Sequence, residues 1–377
     1  MKIFSVAQRL FEVSEGVELK MNIHSSLCYI VGSVVLASSV AACGGGSPSS
    51  TPATAHDAAA SVPAPVIFPS RSDVFYGING HWVRGGPYAL ASPVLQKDQL
   101  GSLRTKMYRN EVFDEASSIT LAEFARTMAS IGGITVYPVI IQNVTFADEQ
   151  SAYNASYKLA QEIVRVQRYA YYEVTNELAP QCLIGWVDGV MNTQYDNEKF
   201  KVARGIIRGL IAGIKSIDST GKIIIGGNTW MHYAFDQMLA SGTQPDGTTG
   251  HPIVSWDITS WHWYSEQGNI EHACGGTGCY NVVGALQSFG KPIWITEVGM
   301  RPDFPGTQRE AGAYLANNML SALLAIAPRY NIESLQIYEL YDDPPDGEGA
   351  YGIMQNDART PKPAWTAVRE FIWTHPR

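Results

Sequence analysis

The chain has 377 residues, 45% of them apolar and 16% charged, with a formal net charge of −8. That length fits either two domains or one large α/β barrel, and the apolar share suits a well-buried body. No basic stripe is present, which excludes nucleic acid as an expected partner.

At the N-terminus, residues 27–42 (LCYIVGSVVLASSVAA) form an apolar run too short for a comfortable membrane span and suited to a signal h-region. The run ends in Val40-Ala41-Ala42-Cys43, followed by three glycines, and resembles the lipobox of bacterial lipoproteins. Residues 1–42 are therefore expected to be a lipoprotein-type signal peptide, with Cys43 the acylated first mature residue. The alternative is an ordinary signal cleaved after an Ala-x-Ala-like site. Lys2, Arg9 and Lys20 are balanced by Glu12, Glu15 and Glu18, and Met21 offers a second possible start. The expected location is outside the cytoplasm, with the lipid anchor holding the chain to the envelope at the outer membrane or in the periplasm. Residues 43–72, rich in Gly, Ser, Pro, Ala and Thr, read as a flexible tether that cannot bury enough apolar surface to fold.

From residue 73 to 377, β-rich runs alternate with amphipathic helical patterns. Strands are predicted at 74–80, 103–109, 134–141, 171–176, 222–227, 256–264, 292–297 and 334–341. Helices are predicted at 119–131, 151–168, 197–216, 307–328 and 363–373. Eight strands alternating with helices imply a single closed (β/α)8 TIM barrel. An open doubly wound sheet loses its support because no GxGxxG or GxxxxGK[ST] follows a strand. No second linker or repeat divides the body, and a monomer is expected.

Catalytic groups in such a barrel stand at the C-terminal ends of strands. Two carboxylates are predicted there, Glu177 after strand four (EVTNELAP) and Glu297 closing strand seven (PIWITEVGM). Charge at a half-buried barrel mouth is penalised by desolvation, so a pair of acids there needs a reason. Glycosidic bond cleavage supplies one, since it needs one carboxyl to donate a proton and another to attack the anomeric carbon. Structural acids paired with Arg or Lys are the alternative.

In strand six, Ser260, His262 and Tyr264 share parity and project to one face. The Tyr264 hydroxyl is expected to donate to the nucleophile, and His262 to tune the acid. Trp261 and Trp263 are expected to pack outward against helices. Arg109 is the expected counter-charge to the nucleophile, with Arg104 the competitor. Asn176 becomes a sugar ligand only if strand four ends there. Asn79, His81 and Trp82 after strand one, Trp230 and His232 after strand five, and Tyr338 in strand eight are expected to line the cleft. Cys274 and Cys279 read as a small disulfide loop. Adjacent His272 raises a metal alternative that lacks a fourth ligand, and Cys182 is left as a buried thiol. The acidic loop 342–348 reads as solvated, not as an ion site.

The Asn-Glu at strand four, the Glu at strand seven and the His-x-Tyr at strand six resemble the glycoside hydrolases of clan A, most closely family 39-type or family 5-type bacterial enzymes. The ending YELYDDPPDGEGAYGIMQNDARTPKPAW is similar to that of family 39. The resemblance covers residues 73–377. It implies a retaining hydrolase of β-linked poly- or oligosaccharide, such as a bacterial exopolysaccharide, with Glu177 as acid/base, Glu297 as nucleophile and neither cofactor nor metal. A departure is Tyr338 where many relatives place a Trp. Transglycosylation on the same site and non-catalytic carbohydrate binding by an anchored barrel are the rival readings.

Overall fold

The short β-branched and aromatic runs of the body are too apolar to face water on either side, and each becomes a strand buried on both faces. In a computed structural model that describes residues 66–345 and 347–377, the barrel strands are β1 (Tyr76–Gly80), β2 (Met107–Val112), β3 (Thr135–Ile140) and β4 (Tyr171–Val174). They are followed by β5 (Lys222–Thr229), β6 (Ile258–Tyr264), β7 (Ile293–Gly299) and β8 (Ile332–Tyr338). Each pairs in parallel with its sequence neighbours, and β8 returns to β1 through Tyr76–Leu335 and Ile78–Ile337, closing the barrel. The expected single (β/α)8 barrel is the architecture found.

Helices wrap the outside where the three-and-four periodicity places them, at Glu115–Gly132, Glu149–Val166, Asn197–Ile217 and Pro363–Thr374. Asp114 and Asp148 open the first two, each accepting from the backbone N–H of the serine three residues on. Such caps satisfy donors that a helix start leaves free. The second and third helices approach closely along Gly205, Gly209 and Gly213. A Cβ at these positions would lie 2.3–2.4 Å from the carbonyl oxygens of Glu149, Tyr153 and Tyr157. The expected helix 307–328 forms as Gln308–Tyr314 and Ser321–Tyr330, joined by a π-helical stretch, Leu315–Leu320.

Two expected boundaries move. Leu103 ends a helix that starts at Pro93, and Arg104 caps it in the left-handed region (φ 59°), so β2 begins only at Met107 and runs on to Val112. Polar Asn110 and Glu111 look like loop residues, yet both are buried at the barrel mouth. The tether reading also gives way over its last residues. Ser70 caps a short helix, Arg71–Phe75, Phe68 packs edge-on against Tyr171 with ring centres 6.0 Å apart, and Arg71 pairs with Glu333. The expected signal peptide, Cys43 and the expected tether up to residue 65 lie outside the described residues. No described helix is long and apolar enough to cross a membrane.

Candidate active site

Strand β4 stops at Val174, and the backbone then turns through two left-handed residues, Thr175 (φ 78°) and Glu177 (φ 45°). A β-branched residue and a carboxylate rarely adopt this conformation, and such strain persists only where surrounding bonds impose it. Here the Glu177 N–H donates to the Gly227 carbonyl at 2.8 Å. The turn lets adjacent Asn176 and Glu177 both join the cluster over the mouth, which an extended strand would forbid. Glu297 lies inside β7, which continues to Gly299, and does not close the strand as expected.

An oxygen of Glu177 and an oxygen of Glu297 lie within 4.8 Å of each other, with His262 Nδ1 2.8 Å from Glu177 and 3.3 Å from Glu297. His262 is fully buried and fits only because residue 227 is glycine, where a Cβ would sit 2.1 Å from its Nε2. Burial pushes the Glu177 carboxyl up, but the hydrogen bond and charge of His262, helped by Arg301 and Arg109, outweigh it and hold Glu177 below the usual carboxylate range.

Glu297 is gripped on both oxygens. Arg109 Nη1 donates to Oε1 at 2.7 Å, and the Tyr264 hydroxyl donates to Oε2. Donors on both oxygens fix the orientation of the carboxylate. Arg109 is the hub of the floor. Its Nε and Nη2 reach the two oxygens of Glu173 at 2.6 and 3.1 Å, and Nη2 also donates to Asn176 Oδ1 at 2.8 Å. Arg104 is no competitor, because its guanidinium stacks on Trp373 at the far end of the chain.

Of the residues expected to line the cleft, Asn79 instead holds the floor. It is buried, donates to the carbonyls of Thr296 and Ile337, and accepts from Arg109. Trp82 is committed elsewhere, its ring flat against Phe124 at 4.2 Å. His81 is locked between Glu111 (3.0 Å) and Glu339 (3.1 Å). Burial opposes its charge, but the two carboxylates push its pKa well above the ordinary value. Glu339 is raised to about 7 by its burial, against the pull of His81. Tyr338 donates to Glu348 and meets Tyr264 edge-on, with ring centres 6.0 Å apart. Trp230 is half-buried and lies parallel to Trp263, and its Nε1 donates weakly to Asp188 at 3.4 Å. His232 is buried, and desolvation lowers it to about 4. Trp261 and Trp263 are buried in the main apolar core, while Ser260 donates to Glu173 at 3.2 Å.

Sequence reasoning missed Glu173, Glu111 and Arg301. Glu173 had a readable signal. A carboxylate directly before Val174-Thr175 sits within a strand of a closed barrel, where burial demands a compensating charge or donors. Arg301 follows β7 in a loop and carried no signal of its own.

Glu177, His262 and Glu297 present one nitrogen and two oxygens at ligand spacing. Arg109, Tyr264 and His262 already donate to these carboxylates, which suits proton chemistry better than a cation. Cys274 and Cys279 are joined as a disulfide across the hairpin Ala273–Gly275 and Gly278–Tyr280, so they are not free thiolates for a metal beside His272. Cys182 is a buried thiol that desolvation pushes up to about 12. In the acidic loop, Asp342 pairs with Lys362 at 2.6 Å.

No family model matches the sequence, and no curated protein matches it. Solved structures do. A GH1 β-glucosidase from Exiguobacterium antarcticum B7 superposes with a TM-score of 0.56 at 11% identity, covering 82% of this chain and 98% of that one. A family 1 β-glucosidase from Thermotoga maritima gives 0.55 at 12%, covering 82% and 99%. A GH5-4 broad-specificity endoglucanase from an uncultured bacterium gives 0.53 at 13%, covering 83% and 99%. At such identities the likeness establishes a shared fold, the closed (β/α)8 barrel, and nothing beyond it. The finer family 39 likeness rests on the sequence motifs alone.

Proposed function

We propose that the protein is a retaining glycoside hydrolase that cleaves β-linked poly- or oligosaccharide, with Glu297 as nucleophile and Glu177 as acid/base. The observation that carries this is the approach of the two carboxylates to within 4.8 Å across the mouth. Retaining pairs stand about 5–5.5 Å apart, whereas inverting pairs need roughly 6.5–9.5 Å to admit a water. The neighbours named above as β-glucosidases and an endoglucanase support the β-linkage.

In the first step Glu297 attacks the anomeric carbon as the glycosidic bond breaks, and Glu177 gives its proton to the leaving oxygen. In the second, Glu177 takes a proton from water, which attacks the same carbon and releases Glu297. Arg109 and Tyr264 hold the two oxygens of Glu297 in place for attack. Glu177 at rest leans toward its ionised form, which suits the second step. A sugar bound over it strips water from the carboxyl, and that desolvation raises its proton affinity for the first.

The envelope location remains part of the proposal. Acylation at Cys43 would hold the barrel on a tether near polymers of the cell surface, and exopolysaccharide is the substrate class that suits this best. The test is a panel of aryl β-glycosides and bacterial polysaccharides, with the first-formed anomer read by proton NMR. Retention predicts the β anomer first, and Glu297→Gln should cost several orders of magnitude in rate. Release of the α anomer first would overturn the mechanism.

A further inference from the structure

Arg301 lies outside the carboxylate pair, where its charge also bears on Glu177, and it is held on four sides. Its backbone N–H donates to Ser265 Oγ at 3.0 Å, Nε to Glu266 at 2.6 Å, and Nη1 to the Tyr351 hydroxyl at 2.8 Å. The fourth contact is the one with consequences. The guanidinium carbon stands 4.0 Å from the centre of the Tyr264 ring, whose hydroxyl donates to Glu297. Tyr351 belongs to the Tyr-Gly-Ile stretch near the C-terminus, so that motif finds its place here. It packs edge-on against Tyr264 and Tyr338 and steadies the guanidinium from the β8 side.

We propose that Arg301 is a positioning residue that clamps Tyr264 over the nucleophile and draws electron density from its ring, so that the phenol donates more strongly to Glu297. A cation over an aromatic face is attracted to the ring's negative quadrupole, and the attraction grows when the pair is withdrawn from water. The same field makes the phenolic O–H a better donor, and an ionised carboxylate gains from a better donor. The other charges facing this pair are Arg109 from β2, Glu177 after β4, His262 within β6, and Glu266 and Glu348 from the loops after β6 and β8. Arg109 grips the other oxygen of Glu297, so the two arginines act on it from opposite sides, one directly and one through the ring. The inference rests on the reading of Glu297 as nucleophile.

The experiment follows the titration of carbon-13-labelled glutamate carboxyls by NMR in the full-length protein, alongside the pH profile of kcat/KM on the best aryl β-glycoside of the panel. Arg301→Met is expected to raise the Glu297 carboxyl and the acid limb of the profile by about half a pH unit or more, and Arg301→Lys to restore part of the shift. Glu266→Gln removes the counter-charge and should move both the other way, which keeps the test sharp even if Arg301→Met folds poorly. A merely structural role would lower the melting temperature and leave both titrations in place. Titrations that superimpose in an active enzyme overturn this inference alone. Shifted titrations in a protein that turns over no glycoside support the electrostatic coupling and sink the hydrolase reading instead.

Discussion

At the scale of single residues, the floor of the site is one cation shared by two buried carboxylates. Arg109 touches Glu173, Glu297, Asn79 and Asn176, and it is almost wholly enclosed. Removing one partner of a buried pair leaves the others charged and unsolvated, which costs about 3–5 kcal/mol. Arg109→Met is therefore expected to lose that much stability, read by denaturant unfolding, and nearly all activity. Arg109→Lys should fare little better, because an ammonium lacks the planar fork that serves several partners at once. Unchanged stability in Arg109→Met would contradict an ionic floor.

At the scale of elements, what could be read depended on how much of each segment was committed to a single face. Strand β6 was legible in full. Strict alternation sends Ser260, His262 and Tyr264 toward the carboxylates and Trp261 and Trp263 into the helical layer. Strand β2 was misplaced because Asn110 and Glu111 are buried polar residues whose partners, Trp82, His81 and Arg84, come from another loop. No periodicity within residues 103–112 records that. Glu177 and Asn176 could be placed at the mouth from the strand pattern, but the two left-handed residues that bring them together could not. Such conformations are imposed by tertiary bonds and not by local preference.

The helix Tyr233–Ser241 behind β5 carries a titration of its own. Asp236 is fully buried, and desolvation raises it to about 8 although Asn228 donates to one of its oxygens at 3.0 Å. Its folded-state pKa exceeds the unfolded one, so the folded protein keeps a proton that the unfolded chain has released. Stability must then fall as pH rises from about 4 to about 8, by up to roughly 1.4 kcal/mol per unit. In Asp236→Asn that component disappears. The difference in unfolding free energy between the two proteins should grow in favour of the variant up to about pH 8 and then level off. A difference independent of pH would mean that Asp236 is ionised in the fold.

At the scale of the whole molecule, barrel closure does the functional work, since β4 and β7 approach each other only when β8 returns to β1. The barrel's first contacts come earlier than composition suggested, through Phe68 against Tyr171 and Arg71 with Glu333. A chain beginning at Pro63 is expected to melt with the cooperativity of the full-length protein. One beginning at Asp73 should melt several degrees lower, for the loss of about 1–2 kcal/mol of packing. Equal melting temperatures would return residues 66–72 to the tether.

In the proposed mechanism two glutamates divide one double displacement between them, and the Glu177→Gln variant separates their roles. An aryl β-glycoside with a good leaving group needs little help from an acid, so Glu297 should still be glycosylated, while the loss of the general base stalls its release. Intact-protein mass spectrometry of that variant should show one added glycosyl unit, and digestion should map it to Glu297. An unmodified protein that nevertheless turns the substrate over, or an adduct on any other residue, would rule out Glu297 as the nucleophile.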